Sequence, residues 1–220
     1  MKYYAHSENS ANDKHPLSTH LKETADIAKS FACSDLYKPI FYIVGLLHDL
    51  GKYQPEFQSY LETVGKRGKV PHASWGSGYA RLYSILEASV AIDGHHKGLP
   101  NKSRWKKDTE PFLREEVDGF QQVVNAFLAD IAVDEDSIKT IPPLSFNDSL
   151  HREAFIRFLF SALTDADWLS TEKHFDRTNF DMRGIPTLPT DEMIEKLDAE
   201  FSKKPRNNEF NQMRNEARLQ

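Results

Sequence analysis

Apolar residues along this chain recur at helical rather than alternating intervals over most of its length. Leu17, Leu21, Ala25, Ala28 and Phe31 fall on one face of a helix that Pro16 is well placed to begin. Pro39 opens a second segment, Ile40 to about Leu50, whose unbroken apolar character predicts burial on all sides. A third starts at Pro55 and carries Phe57, Tyr60, Leu61 and Val64, and helical character resumes from Ser74 to about Ile92. Further helices are expected over Pro111 to Ile131 and Asp148 to Leu169. The stretches Gly65 to Lys69, Lys97 to Asp108 and Val133 to Asn147 read as polar loops. After Phe175 the chain turns polar, and Pro186 and Pro189 mark a boundary before one more short helix and a polar tail, Lys203 to Gln220. No internal repeat and no strand stands out. The pattern predicts an all-α, globular helical bundle over residues 1–180, then a C-terminal helix and polar linker over 181–220.

Composition narrows the class. Hydrophobic residues at 39% and charged residues at 28% are ordinary for a soluble globular protein. The single cysteine, Cys33, excludes an internal disulfide and a Cys-rich zinc ribbon, and it fits a reducing cytoplasm. The longest apolar run, Ile40 to Leu47, falls far short of the ~18 residues that a membrane span needs. The first residues also lack the apolar core of a signal peptide. A cytoplasmic protein with no membrane partner is expected. The net charge of −5 does not advertise nucleic-acid binding, so any polyanionic substrate needs a local source of positive charge. Metal ions could supply it.

The informative residues are histidines and aspartates. His48-Asp49 ends the most apolar helix, in Gly45-Leu46-Leu47-His48-Asp49-Leu50-Gly51-Lys52. Adjacent side chains on a helix point about 100° apart, so both can reach one centre, and Gly51 can close the helix in a left-handed cap. Alone, such a pair is an ordinary polar helix end. Here His20 lies beside the apolar stripe of the first helix, and His72 just precedes the helix near Ser74. His95-His96 form a doublet before Lys97-Gly98, and Thr164-Asp165-Ala166-Asp167-Trp168-Leu169 closes the long late helix. Imidazole and carboxylate donors suit first-row transition metals, and seven such groups are too many for one ion. On a helical wheel Phe155, Phe158, Leu159, Ala162, Leu163 and Ala166 define the buried arc; Asp167 falls inside the wider apolar side and Asp165 at its polar edge, so Asp167 is preferred.

In this order the motifs match the HD phosphohydrolase superfamily, and more specifically they resemble the HD nuclease domain of the CRISPR-associated type I nuclease-helicase. The resemblance runs from His6 to about Glu172 and includes Phe57-Gln58-Ser59-Tyr60-Leu61 and His72-Ala73-Ser74. It implies a metal site between helices. His20, His48, Asp49 and Asp167 would hold one divalent ion, and Asp49, His72, His95 and His96 a second, with Asp49 bridging. Manganese, nickel, cobalt and iron are the ions expected. Lys52 would contact phosphate or assist the leaving oxygen; as a plain lysine it would be solvated and favoured by the helix dipole. The basic stretches with Lys66, Arg67 and Lys69, and with Lys97, Lys102, Arg104, Lys106 and Lys107 around Trp105, would guide DNA phosphates and offer a stacking ring. As simple solvated loops they would do neither. His6, His15, His151 and His174 are expected to be surface or structural.

The resemblance implies hydrolysis of single-stranded DNA, by endonuclease or exonuclease action, in antiviral defence. A helicase would feed the strand, and a crRNA-guided surveillance complex would recruit the enzyme. No Gly-x-x-x-x-Gly-Lys-Ser/Thr phosphate loop occurs, so the motor is expected on another subunit or elsewhere in a longer chain. Two rival functions remain: an HD enzyme for nucleotides or cyclic dinucleotides, and a module that the metal only stabilises.

Overall fold

The computed structural model describes residues 2–62, 70–183, 190–203 and 209–218. Val64 and the basic stretch with Lys66, Arg67 and Lys69 lie outside the described residues. Contacts divide the chain into two units, Met1–Met182 and Arg183–Gln220.

The first unit opens on a short antiparallel hairpin, β1 (Tyr4–Glu8) and β2 (Lys14–Pro16), which sets His6 opposite His15. The helical pattern hides it because strands of five and three residues are too short to show alternation. Helices α1 (Leu17–Ser30) and α2 (Lys38–Leu47) follow. A tight 3-10 turn, Leu50–Tyr53, leads to α3 (Pro55–Glu62). Then come α4 (Ala73–Leu82), α5 (Leu86–Gly94), α6 (Lys102–Leu113), α7 (Phe120–Ile131), α8 (Glu135–Lys139), α9 (Ser149–Phe175) and α10 (Arg177–Met182). The second unit holds α11 (Thr190–Ser202) and α12 (Glu209–Arg218). No described helix is long and apolar enough to cross a membrane.

The first unit is a largely helical, globular bundle. α1 presents Leu17, His20, Leu21, Thr24, Ala25 and Ala28 as one buried stripe, while nearly every residue of α2 from Ile40 to Leu47 is buried. α2 is therefore the central helix, with α1, α4, α5 and α9 packed around it. The long helix α9 buries Leu159, Ala162, Leu163 and Ala166, but Phe158 is 47% exposed and lies off the arc assigned to it.

Several boundaries differ from the sequence pattern. The helix expected from Ser74 to Ile92 breaks at Tyr83–Ile85, where Ser84 takes a left-handed φ of 61°. The polar stretch around Trp105 is mostly helix, because Asn101 caps α6 by accepting from the Arg104 N–H at 2.9 Å. Pro111 sits inside α6 rather than starting the next helix, and α7 begins after a left-handed Gly119. The loop expected over Val133 to Asn147 contains the short α8.

α2 and α4 approach so closely at Gly76 that a β-carbon there would strike the Leu47 carbonyl oxygen. The obstacle is backbone and cannot rotate away. Gly76→Ala should destabilise the fold by about 1–3 kcal/mol or more, read as a lowered urea midpoint with an unchanged m-value.

Candidate metal centre

Helices α1, α2, α4, α5 and α9 deliver the polar groups to one place. His20 belongs to the buried stripe of α1, His48 follows α2, and Asp49 stands at the break before the 3-10 turn. His72 precedes α4, His95 and His96 follow α5, and Asp167 projects from α9. They form two groups, His20–His48–Asp49–Asp167 and Asp49–His72–His95–His96, each with donor atoms within 4.8 Å of one another.

Asp49 belongs to both groups, and its two oxygens divide between them. Oδ2 lies 3.4 Å from His20 Nε2 and 3.2 Å from His48 Nε2, whereas Oδ1 lies 3.3 Å from His72 Nε2 and 3.6 Å from His95 Nε2. Asp167 Oδ1 closes the first group at 3.2 Å from His20 Nε2 and 3.6 Å from His48 Nε2. His96 closes the second, with its Nε2 2.8 Å from His72 Nε2.

The hydrogen bonds around the centre set the ring tautomers. His48 Nδ1 lies 2.7 Å from the Gly45 carbonyl, His95 Nδ1 2.6 Å from that of Ile92, and His72 Nδ1 3.1 Å from that of Val70. A carbonyl only accepts, so each Nδ1 carries a proton, and Nε2 of the neutral ring offers its lone pair inward. His20 reaches the same tautomer by a relay. Its Nδ1 lies 3.0 Å from Ser170 Oγ, whose hydroxyl donates at 3.2 Å to Glu23 Oε2, and Glu23 also accepts from Lys173. Since the hydroxyl proton goes to the carboxylate, the Oγ lone pair accepts from His20.

This donor set fits cations. Asp49 Oδ1 and His95 Nε2 are buried with no hydrogen-bond partner, an arrangement that costs free energy and that a cation relieves. Imidazole and carboxylate together are the donors that first-row transition metals prefer. The electrostatics differ between the groups. Burial, against the pull of Asp49, takes His72 down to about 4, and burial assisted by His95 takes His96 down to about 3. Burial also opposes charge on His48, but Asp49 and Asp167 outweigh it and hold His48 up at about 10. Burial would raise both aspartates, yet His48 and Lys52 hold Asp49, and His20 and His48 hold Asp167, well below the usual carboxylate range.

Lys52 is buried rather than solvated. Its ammonium pairs with Asp49 Oδ2 at 2.6 Å and donates to the Ala5 carbonyl at 3.2 Å, which leaves one of three donors for another group. Gly51 is not a left-handed cap; among the described glycines positive φ occurs at Gly98 and Gly119. It serves close packing instead, since a β-carbon there would lie 2.5 Å from the His72 carbonyl oxygen. Lys97, Lys102, Arg104, Lys106 and Lys107 are exposed, on α6 or just before it. Trp105 is no free stacking ring: its Nε1 donates to Ser89 Oγ at 2.9 Å, and the Arg81 guanidinium lies 4.7 Å from the ring centre. Asp165, the alternative to Asp167, is exposed.

The spacing of the chain gives no role to His6 and His15, yet both pack against His20 and form a third group of possible donors. Their Nδ1 atoms are 3.1 Å apart, and His174 stacks on His15 at 4.4 Å. Burial lowers His6 to about 2 and His15 to about 3, so these two rings behind His20 are neutral. Only the unforeseen hairpin register brings it together.

The HD domain family matches residues 17–132, just over half of the chain. The chain belongs to the HD domain family. The matched segment contains His20, His48, Asp49, His72, His95 and His96; Asp167 comes from beyond it. No curated protein matches the chain. The HD fold accounts for the clusters between helices, which are capable of coordinating metal.

Two predictions follow from the ring tautomers and their protonation. Ser170→Ala removes the relay to His20 and should weaken metal binding at the His20 group about 10–100-fold, leaving the His72 group unchanged in a metal titration. A raised pKa means that His48 holds its extra proton at neutral pH, and metal must displace it; His72 and His96, lowered, have none to lose. Calorimetry at pH 7 in buffers of different ionisation enthalpy should show about one proton more released on filling the His48 group than on filling the His72 group.

Proposed function

We propose that this HD domain is a metal-dependent phosphohydrolase that cleaves phosphodiesters with two divalent cations sharing Asp49. The division of the Asp49 oxygens between two histidine groups is the observation that carries this reading. Bound divalent ions there would supply Lewis acidity and a water of lowered pKa. The chain's own residues do the rest. Asp49 and Asp167 bring only two negative charges to a site otherwise made of imidazoles, so the loaded centre is positive enough to receive an anionic phosphodiester despite the acidic chain. Lys52 fixes Asp49 and keeps one donor that could reach a phosphate oxygen. This reaction requires no covalent protein intermediate.

For the substrate we favour single-stranded DNA, in the setting of type I CRISPR interference with a helicase and a crRNA-guided complex. Support comes from the motif resemblance, above all the His doublet and the Phe57-Gln58 segment. Gln58 ties that segment to the centre's neighbours by donating to the Tyr4 carbonyl at 3.0 Å and the Lys52 carbonyl at 2.7 Å. The family match and the donor clusters by themselves back the wider reading better, an HD-type phosphohydrolase acting on nucleotides or cyclic dinucleotides.

The test compares circular single-stranded DNA, linear duplex, nucleotides and cyclic dinucleotides with manganese, nickel, cobalt, ferrous iron and calcium. Cutting of the circle with transition metals and little with calcium is expected. Turnover of the small molecules with the circle intact would transfer the assignment to the wider reading. Asp49→Ala should abolish turnover and lower the occupancy of both ions; unchanged two-ion stoichiometry would remove the shared carboxylate.

A further inference from the structure

Two cavities open along α9, the helix that also carries Asp167. The near one, about 540 Å³, is walled by Leu99, Pro100, Phe160 and Ser161. The far one, about 550 Å³, is walled chiefly by Leu86, Val90, Trp105 and Ile156. Leu99, Pro100 and Arg157 line both, so the cavities join into one groove between α9 and the segment that links α5 to α6.

Both walls connect the groove to the centre. Leu99 and Phe160 close on Gly94, where a β-carbon would lie 3.1 Å from Leu99 Cα and 3.3 Å from the Phe160 ring, and His95-His96 follow immediately. On the other wall, the seven residues from Phe160 to Asp167 are about two turns, or ~10 Å, of helix. Arg157, Ser161, Thr164 and Trp168 form one lengthwise stripe of α9, and Trp168, next to Asp167, is 73% exposed. Away from the centre the groove reaches Ser149, which places its far end about 27 Å along α9 from Asp167.

The chemistry of the lining is as specific as its path. In a chain of net charge −5, the far cavity carries Lys102, Arg152 and Arg157 against a single carboxylate, Glu153. Arg157 pairs with Glu153 at 2.7 Å, and Arg152 with the buried Glu87 at 2.7 Å. The arginines are thus held at the rim beside an apolar floor. Apolar and aromatic walls receive bases, and rim cations receive phosphates. A mononucleotide would fill only the end nearest the metals, whereas a groove of this length suits a strand of several nucleotides.

We propose that this groove holds the single strand on one side of the scissile phosphate, with bases against Phe160 and Ile156 and phosphates along Arg157 and Lys102. The inference rests on the nuclease reading. It assigns α9 a second task, since one helix supplies both Asp167 and the strand-guiding wall.

The test measures manganese-supported cleavage of single-stranded oligonucleotides of increasing length, alongside hydrolysis of bis(p-nitrophenyl) phosphate, which is too short to extend along the groove. Wild-type KM should fall about tenfold or more between a trinucleotide and a ten-nucleotide strand. Arg157→Glu, and separately Ser161→Trp at the near cavity, should flatten that length dependence and weaken strand binding about tenfold. Both positions are exposed, so metal content, circular dichroism and turnover of the small diester should match wild type. Unchanged length dependence in both variants, in an enzyme that does cut strands, would overturn the groove and leave the nuclease reading standing. A wild-type enzyme that hydrolyses the small diester and nucleotides but no strand of any length would overturn the nuclease reading, and the groove with it.

Discussion

A fully buried carboxylate governs this structure. Asp49 sits at the end of the most apolar helix, where an unpaired charge would be prohibitively costly, and everything next to it acts to offset that cost. The Lys52 ammonium presses on one oxygen, and imidazoles approach both. Each imidazole comes from a different helix or helix end, so the demand of one side chain sets where α1, α4 and α5 meet α2. Fold and chemistry are therefore specified together. The apolar residues that drive the helices together by burial also aim the donors, because His20 shares the stripe of Leu17, Leu21 and Ala25.

α9 carries an unusual share of this arrangement. Its buried arc packs on α1, α2 and α5, while Asp167 and Ser170 lean into the first donor group. Ser170 differs from the other partners of the ring nitrogens in being a side chain, itself held by Glu23 and, through it, by Lys173. The first group is thus assembled from widely separated parts of the sequence, and the second mostly from segments close to α4 and α5.

Much of this was legible from residue order. The stripe of α1, the apolar run of α2 and the ordered histidines and aspartates pointed to an all-α HD fold and to the residues that the structure gathers around Asp49. The preference for Asp167 over Asp165 came from wheel geometry, and Asp167 is the carboxylate that faces the histidines. What escaped depends on contacts that a linear pattern does not encode. The β1–β2 pairing hid the His6–His15 layer, and Gly51 looked like a cap although its role is to admit the backbone of His72. Trp105 and its lysines resembled an open loop because the Asn101 cap that starts α6 is a single-residue signal amid charges. The burial of Lys52 could not be read, because nothing along the sequence shows that the Ala5 carbonyl reaches its ammonium.

The partners of the ring nitrogens also bear on how the centre can change over generations. His48, His72 and His95 lean on main-chain carbonyls of Gly45, Val70 and Ile92; those of Val70 and Ile92 persist whatever side chains the positions carry, whereas a β-carbon at Gly45 would strike the backbone of Ala25. Point mutation at Val70 or Ile92 leaves the acceptor in place. His20 leans on a hydroxyl and, behind it, a carboxylate, both of which a single codon change can delete or exchange. One half of the centre is thereby insulated from drift in its immediate supports, and the other is open to gradual retuning of its affinity for an ion without any ligand being lost.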